Sequence, residues 1–327
     1  MSNSGEAPLV SVVIPNYNYA RYLKERIDSV LNQTFQDFEI IILDDASTDE
    51  SLKIINEYST HPRIYRIEAN KNNSGTPFIQ WKKGTLMARG KYVWIAEADD
   101  VAEPDFLETT VRLMEEHNEA AICHVGYQVI DSQSQAHKKD YNKWGATRKA
   151  KGYACFDGIE YVRNNLYWCN CIYNASGVLF NREKALTVID SPFVTMRNCG
   201  DWRFWADLSL QGKVIEVYKV LNKFRRHENS VTHIGNKHGR ILKEEIEMVK
   251  YMQENLNGIS SYKKLIRGAG FYKKIKRVDC DSTTKKELYD FLEKELNIRS
   301  KHYTMERINK YLSFILPFMP TKERDRL

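Results

Sequence analysis

The stretch Val10-Ser11-Val12-Val13-Ile14-Pro15-Asn16-Tyr17-Asn18 decides the fold class of this 327-residue chain. Residues 9–14 form a β-branched apolar run, the pattern of a strand covered on both faces, and Pro15 closes it. Tyr22, Ile27, Val30 and Leu31 then fall at helical spacing, and a second apolar run, 38–43, ends in Asp44-Asp45. Ser47, with Glu50 three residues on, predicts a capped helix carrying Leu52, Ile54, Ile55 and Tyr58. The alternation continues with a strand at 63–67, a helix at 76–87 closed by Gly90, and a strand at 92–96 that ends in Glu97-Ala98-Asp99-Asp100. A helix opened by Pro104 and a strand at 121–125 follow. This cadence predicts an α/β fold: a mostly parallel central sheet with helices on both faces.

Downstream the pattern changes. Residues 131–155 are rich in Ser, Gln, Lys and Gly and read as a long loop; strands are expected at 176–180, 214–217 and 222–225, around a helix at 201–210. From 239 onward four helices are predicted, at 241–256, 262–277, 283–296 and 303–316. The expected organisation is a tail at 1–8, a first half at 9–130, a second half of the same domain at 131–238, and a helical C-terminal region at 239–327.

Composition narrows the class. With 42% apolar, 12% aromatic and 28% charged residues the chain is neither disordered, collagenous nor a disulfide scaffold. No apolar run approaches the ~20 residues that span a bilayer, and the first residues lack a signal-peptide pattern. The net charge of +6 is uneven: residues 240–327 carry 20 Lys+Arg against 13 Asp+Glu, the first 239 carry 29 against 30. None of the six cysteines forms a C-x-x-C pair, which argues against structural zinc and for reduced thiols in a cytoplasmic protein.

In open α/β sheets ligands bind beyond the carboxyl ends of the strands, and here those ends carry two amides, a tyrosine and two acidic clusters. Carboxylates aimed into one crevice repel unless a cation shares it, and a hard ion with oxygen ligands, Mg²⁺ or Mn²⁺, meets that need. The first strand turns through Pro-Asn-Tyr-Asn instead of G-x-G-x-x-G, and no Walker A sequence occurs, so no glycine loop cradles a diphosphate.

Residues 10–18, Ser29-Val30-Leu31-Asn32-Gln33-Thr34-Phe35, Asp44-Asp45-Ala46-Ser47-Thr48-Asp49 and Arg89-Gly90-Lys91-Tyr92 leading into Glu97–Asp100 together resemble glycosyltransferase family 2. The resemblance covers 9–130 closely and 175–232 more loosely. It implies a GT-A fold, with 9–130 binding the nucleotide-sugar donor and 131–238 the acceptor. By the same resemblance Pro15, Tyr17 and Asn18 line the nucleobase and ribose pocket, Asp45 bonds the base, Asp99 contacts ribose or sugar, and Asp100 holds the metal. Glu97 stands where a strict D-x-D has its first aspartate.

Inverting transfer needs a carboxylate base, and Asp201, opening Asp201-Trp202-Arg203-Phe204-Trp205, stands where the family places it; Asp207 is a second candidate. A helix N-terminus would hold Asp201 ionised at the cost of basicity. Trp202 and Trp205 suit either a core or a sugar-stacking face. Lys223–Thr232 resembles the family's basic segment, in which Arg226 and His227 close over the diphosphate and His227 is a candidate metal ligand. Q-x-x-R-W and membrane spans, the marks of processive synthases, are missing, so the transfer of one sugar is expected, from a UDP-sugar to a glycan or lipid-linked acceptor in surface-polysaccharide synthesis. Met305, Ile308, Tyr311, Leu312 and Ile315 share one helical face flanked by Arg307 and Lys310, suited either to peripheral membrane contact or to packing on the domain. Rival readings are a nucleotide-sugar-binding module without turnover and a sugar-phosphate nucleotidyltransferase, which should show a glycine-rich loop; nucleic-acid binding has no recognition motif.

Overall fold

A computed structural model of the chain describes residues 7–142, 144–226, 239–313, 315–316 and 321. The chain forms two compact units. One comprises Met1–Gly158, Ile172–Thr195 and Asp207–His227, the other Ile159–Cys171, Met196–Ala206 and Glu228–Leu327. The second unit thus takes two short segments from before the expected boundary at 239.

The first unit is built on one mixed sheet. In chain order its elements are β1 (Val10–Asn16), α1 (Ala20–Leu31), β2 (Phe38–Asp44), α2 (Ser51–Glu57), β3 (Ile64–Ala69), α3 (Pro77–Met87), β4 (Tyr92–Ile95), β5 (Val101–Ala102), α4 (Phe106–Glu116), β6 (Ala120–Ile130), β7 (Tyr153–Phe156), β8 (Val178–Asn181) and β9 (Lys213–Arg225). The strand order is β3-β2-β1-β4-β8-β6-β9-β5, with β7 on β9. The half nearest the N-terminus is parallel; β8 runs antiparallel to both its neighbours, and β5 and β7 antiparallel to β9. Helices cover both faces of β1. Val10, Val12 and Ile14 share a core with Leu23, Ile27 and Val30 of α1 and Phe106 of α4. Val13 points the other way, against Gly84 of α3, where an added Cβ would lie 2.3 Å from its methyl carbon.

Several local expectations are corrected. Ser47 does not cap α2, which begins at Ser51; its hydroxyl bonds Asp44 instead. Gly90 is not a helix cap, since α3 ends at Met87 with Ala88 as its C-cap. It permits close passage, because a Cβ there would meet the Ser11 backbone nitrogen at 2.7 Å. The region 131–155 holds a short helix, Ala146–Lys151, and β7. The two strands expected at 214–225 are one, β9, with register shifts against β6 absorbing the irregularity.

The second unit is helical. Arg240–Asn255, Ser261–Arg277 and Ser282–Leu296 bury Leu242, Ile246, Val249, Ile266, Phe271, Ile275, Leu288 and Leu292. Ser260 and Asp281 cap the second and third of these helices. The last helix, Ser300–Leu312, packs through polar and aromatic atoms: Asn309 is buried and accepts from the Tyr262 hydroxyl at 2.9 Å, and Tyr303 stacks on Tyr272. No helix among the described residues is long and apolar enough to cross a membrane. All six cysteines are free thiols.

Candidate active site

Parallel pairing brings the ends of β1, β2 and β4 to one edge: Asn16 lies opposite Asp44, and Val13 opposite Ile95. Three polar segments therefore leave the sheet together. The first two are tied by Asp44, a fully buried carboxylate that accepts from Asn16 Nδ2 (2.7 Å), Ser47 Oγ (2.6 Å) and Ser47 N (2.9 Å). Ser47 Oγ also accepts from Asn18 N, and Asn18 Oδ1 from Thr48 N at 2.7 Å. These bonds hold Asn18 and Ala46 at φ of 59° and 64°, a left-handed backbone that costs a non-glycine residue roughly 1–2 kcal/mol. Pro15 is buried beneath the turn, while Tyr17 and Asn18 are exposed on it.

Asp45 is buried and already engaged. Its oxygens accept from Asn70 Nδ2 (2.6 Å), Gln80 Nε2 (2.8 Å), Ser74 Oγ (2.7 Å) and Ser74 N (3.0 Å). It fastens residues 70–74 to the strand end, so a nucleobase could bond it only by replacing one of these donors. Asp45, the expected base contact, thus also anchors this loop.

The acidic turn after β4 is held at every residue that carries charge. Glu97 O accepts from Arg26 Nε (2.8 Å), Glu97 N donates to Ser176 Oγ (3.0 Å), and Glu97 Oε1 accepts from Trp81 Nε1 (2.7 Å). Arg225 Nε donates to Asp99 O (2.6 Å) and Arg225 N to Asp100 Oδ1 (2.9 Å). The rest of the Arg225 guanidinium reaches Asp131 O, Ser134 Oγ and Glu25 Oε2. Burial, then the Asp99 charge, pushes the Glu97 carboxyl up to about 8, and the same two causes raise Asp100 above the usual carboxylate range. Burial and the three carboxylates also raise the Tyr19 hydroxyl.

A divalent ion fits this turn only in part. Among the described residues no three His, Cys, Asp or Glu side chains form a metal cluster. One or two carboxylates completed by substrate phosphates is the usual holding of Mg²⁺-like ions, and the turn offers that. Asp100 is 2% exposed with one oxygen on Arg225 N, whereas Asp99 is half-buried. Asp100, the expected metal ligand, is thus the more enclosed of the two aspartates and Asp99 the more accessible. Glu97 has one oxygen taken by Trp81 Nε1. Arg226 is exposed, with its guanidinium over Tyr141 at 4.9 Å and Phe224 at 5.6 Å. His227 lies outside the described residues.

Asp201 belongs to the second unit, on the first turn of the helix Gly200–Ser209. Its oxygens accept from Asn170 Nδ2 (2.8 Å) and Trp202 N (2.7 Å). The helix terminus lowers its basicity as expected, through the Trp202 and Asp201 N–H groups, but burial outweighs this and pushes Asp201 up to about 6. Part of the reason is Glu244, whose carboxylate already collects the N–H groups of Arg197, Asn198 and Cys199 ahead of the helix and adds a like charge. Trp202 and Trp205 are core residues, and Trp202 Nε1 donates to Leu166 O. Asp207, the second candidate, is buried in the first unit.

Arg225, Ser176, Arg26 and Glu244 escape a reading of motifs, since each acts on residues at least 45 positions away through contacts only the fold creates. Arg26 alone left a trace, as a charge at an apolar position of the α1 stripe Leu23, Ile27 and Val30.

The chain is similar to several known proteins. An uncharacterized glycosyltransferase of Haemophilus influenzae is 28% identical over 236 residues, 70% of this chain and 69% of that one. A chondroitin synthase of Pasteurella multocida is 41% identical over 106 residues, 32% of this chain and only 11% of the synthase. Among solved structures, S. aureus TarS 1-349 in complex with UDP-GlcNAc superposes with a TM-score of 0.66 at 15% identity, covering 97% of this chain and 88% of that one. The mannosyltransferase PcManGT of Pyrobaculum calidifontis, in complex with GDP-Man and Mn²⁺, gives 0.55 at 14% identity over 98% and 84%. These likenesses establish a GT-A fold with a helical C-terminal region. Residues 11–171 match the family described as Glycosyl transferase family 2, and that segment is a glycosyl transferase family 2 domain.

Proposed function

We propose that the chain is an inverting, metal-dependent glycosyltransferase that moves one sugar from a nucleotide-diphosphosugar to a hydroxyl of a glycan or lipid-linked acceptor in cell-surface polysaccharide synthesis. The observation that carries the reading is the acidic turn Glu97–Asp100, braced at the same sheet edge as the Asn16–Asn18 and Asp44–Ser47 turns of a glycosyl transferase family 2 domain. UDP-sugars are the first donors to try, because TarS was solved with UDP-GlcNAc; GDP-sugars follow from PcManGT.

In this reading Asp99, with Asp100 behind it, holds Mn²⁺ or Mg²⁺ together with the donor diphosphate. When bound, the ion supplies positive charge where the leaving diphosphate becomes more negative. Tyr17 and Asn18 contact the nucleoside above Pro15, Asp45 keeps the 70–74 loop in place beside it, and Arg226 meets the phosphates. Asp201 accepts the acceptor hydroxyl proton. The new bond joins the acceptor oxygen to the anomeric carbon, the bond from that carbon to the diphosphate oxygen breaks, and the configuration inverts. A carboxyl near 6 suits this task, being ionised at neutral pH yet more basic than an exposed aspartate.

A second part of the reading concerns location, and here one observation favours membrane contact over packing on the domain. Met305, Ile308, Tyr311 and Ile315 are 40, 51, 68 and 76% exposed, while Asn309 and Ser313 of the same segment are buried. The apolar stripe faces outward with Lys301, Arg307 and Lys310 exposed around it, the arrangement of a helix lying on an anionic surface. We therefore propose peripheral contact with a membrane, at its inner face for a cytoplasmic enzyme.

The test is a panel of UDP- and GDP-sugars, read by Mn²⁺-dependent thermal stabilisation and by release of nucleoside diphosphate on adding acceptor glycans. Stabilisation and release, with release lost in Asp201→Asn, support the enzyme. Stabilisation with no release from any donor favours the binding module, and no stabilisation by any donor overturns the reading.

A further inference from the structure

Arg26 occupies a position where α1 should carry a hydrophobe. It follows Leu23 by three residues and precedes Ile27 and Val30 on the stripe that faces the sheet, and its side chain is 0% exposed. The guanidinium lies 5.5 Å from the Trp94 ring centre and donates through Nε to Glu97 O, while both terminal nitrogens are buried with no hydrogen-bond partner. A buried cation left so is strongly unfavourable unless opposite charge stands close by. Asp100, Asp99 and Glu97 provide it, in that order of strength; burial lowers the group to about 10, still well above neutral pH, so it remains a cation. The second buried guanidinium at the turn, Arg225, differs in kind, because each of its three nitrogens has a hydrogen-bond partner.

We propose that Arg26 is a positioning residue whose guanidinium is the built-in counter-ion of the Glu97–Asp100 turn, so that a divalent cation binds weakly alone and tightly only together with a nucleoside diphosphate. The inference rests on the metal and donor assignment made above. Its physical content is a difference of sign. A fixed positive charge beside the carboxylates opposes a second cation and favours a polyanion, and at an effective dielectric near 20 a unit charge within several ångströms changes either affinity by about tenfold or more. A residue with only a structural role would, on removal, weaken both ligands.

The experiment titrates Mn²⁺ alone, and UDP without metal, into the full-length chain and its Arg26→Met, Arg26→Gln and Arg26→Lys variants by calorimetry, with folding checked by circular dichroism. Arg26→Met keeps the length of the buried side chain without the charge; Arg26→Gln adds a donor for Glu97 O should methionine fail to fold. The expected result is opposite movement in the neutral variants: Mn²⁺ tightened about tenfold, UDP weakened about tenfold, with Arg26→Lys within about threefold of the parent for both. A folded neutral variant that loses affinity for both ligands, or for neither, overturns the counter-ion role. So does a parent chain that binds Mn²⁺ equally well with and without UDP. If neither parent nor variants bind Mn²⁺ even with UDP present, the metal assignment fails along with it, which distinguishes the two ideas.

Discussion

Replacing Asp201 by asparagine should make the chain more stable while abolishing turnover. The sign follows from the direction of the shift: the folded carboxyl titrates at about 6 against an ordinary 3.8, so the native state disfavours the ion. Above pH 6 both folded and unfolded chains are ionised, and the penalty is constant at about 3 kcal/mol, from about 1.36 kcal/mol per unit. Between the two values it fades, to about 1 kcal/mol at pH 4.5, and below 3.8 it vanishes. Two reductions apply. Asp201 keeps some solvent contact, which screens the charge, and asparagine can accept from only one of Asn170 Nδ2 and Trp202 N, which costs about 1 kcal/mol. The net expectation at pH 8 is therefore a gain of about 1–2 kcal/mol, shrinking to nothing or a small loss near pH 4.5. Urea unfolding of parent and variant at the two pH values measures it, and the same preparations are assayed for nucleoside diphosphate release. Equal stability at pH 8, or a difference that does not change with pH, would refute the claim that burial sets the protonation of Asp201. Turnover within tenfold of the parent would remove it from the role of base, whatever its stability.

The parent's own pH profile should carry the same group as an acidic limb in kcat/KM, with activity falling as pH drops through about 6. Glu244→Gln keeps the shape of the carboxylate at the start of the Asp201 helix but removes a like charge, so that limb should move to lower pH; an unmoved or raised limb would contradict the coupling. Asp45→Ala removes the acceptor shared by Asn70 Nδ2, Ser74 N, Ser74 Oγ and Gln80 Nε2 and should destabilise the chain by about 3 kcal/mol in urea unfolding. Asp99→Asn should leave stability within about 1 kcal/mol of the parent yet lose Mn²⁺-dependent stabilisation by nucleotide sugar, and a retained effect would return the metal role to Asp100. Ile308→Asp with Tyr311→Asp, both on exposed positions, should abolish co-sedimentation with vesicles of anionic lipid without lowering Tm; if the parent fails to sediment and runs as a dimer, the stripe faces a second copy.

Much of the fold was legible because strands buried on both faces announce themselves. β1 and β2 lie within two residues of the apolar runs that predict them, and the acidic clusters fall at or just beyond the ends of β2 and β4. Local polar signals were poorer guides. Ser47 followed by Glu50 has the spacing of a capping box, but a buried Asp44 three residues back offers Ser47 a shorter and charge-assisted partner, and the helix starts four residues later. The charged C-terminal region left two readings open. An amphipathic face predicts which side of a helix is buried only when water is the alternative; in Ser300–Leu312 the polar residue Asn309 finds a phenol partner and the apolar stripe stays outside.

At the site, a sequence displays the groups that meet a ligand but not those that set their charge. Asp99, Asp100 and Asp201 stand out because carboxylates at strand ends and helix starts form short, readable patterns. What those carboxylates can do depends on Arg26, Arg225 and Glu244, which are ordinary in their own segments. The case of Asp201 shows that this is more than detail. Read locally, an aspartate on the first turn of a helix is stabilised as an ion, which would make it a poor base. In the fold, burial outweighs the bonds from Trp202 N and Asn170 Nδ2 that still favour the ion, and the Glu244 charge adds a smaller push in the same direction. The same residue type at the same helical position is thereby turned from an anion-stabilised cap into a carboxyl poised near neutrality, chiefly by burial, with a like charge forty-three positions further along adding to it.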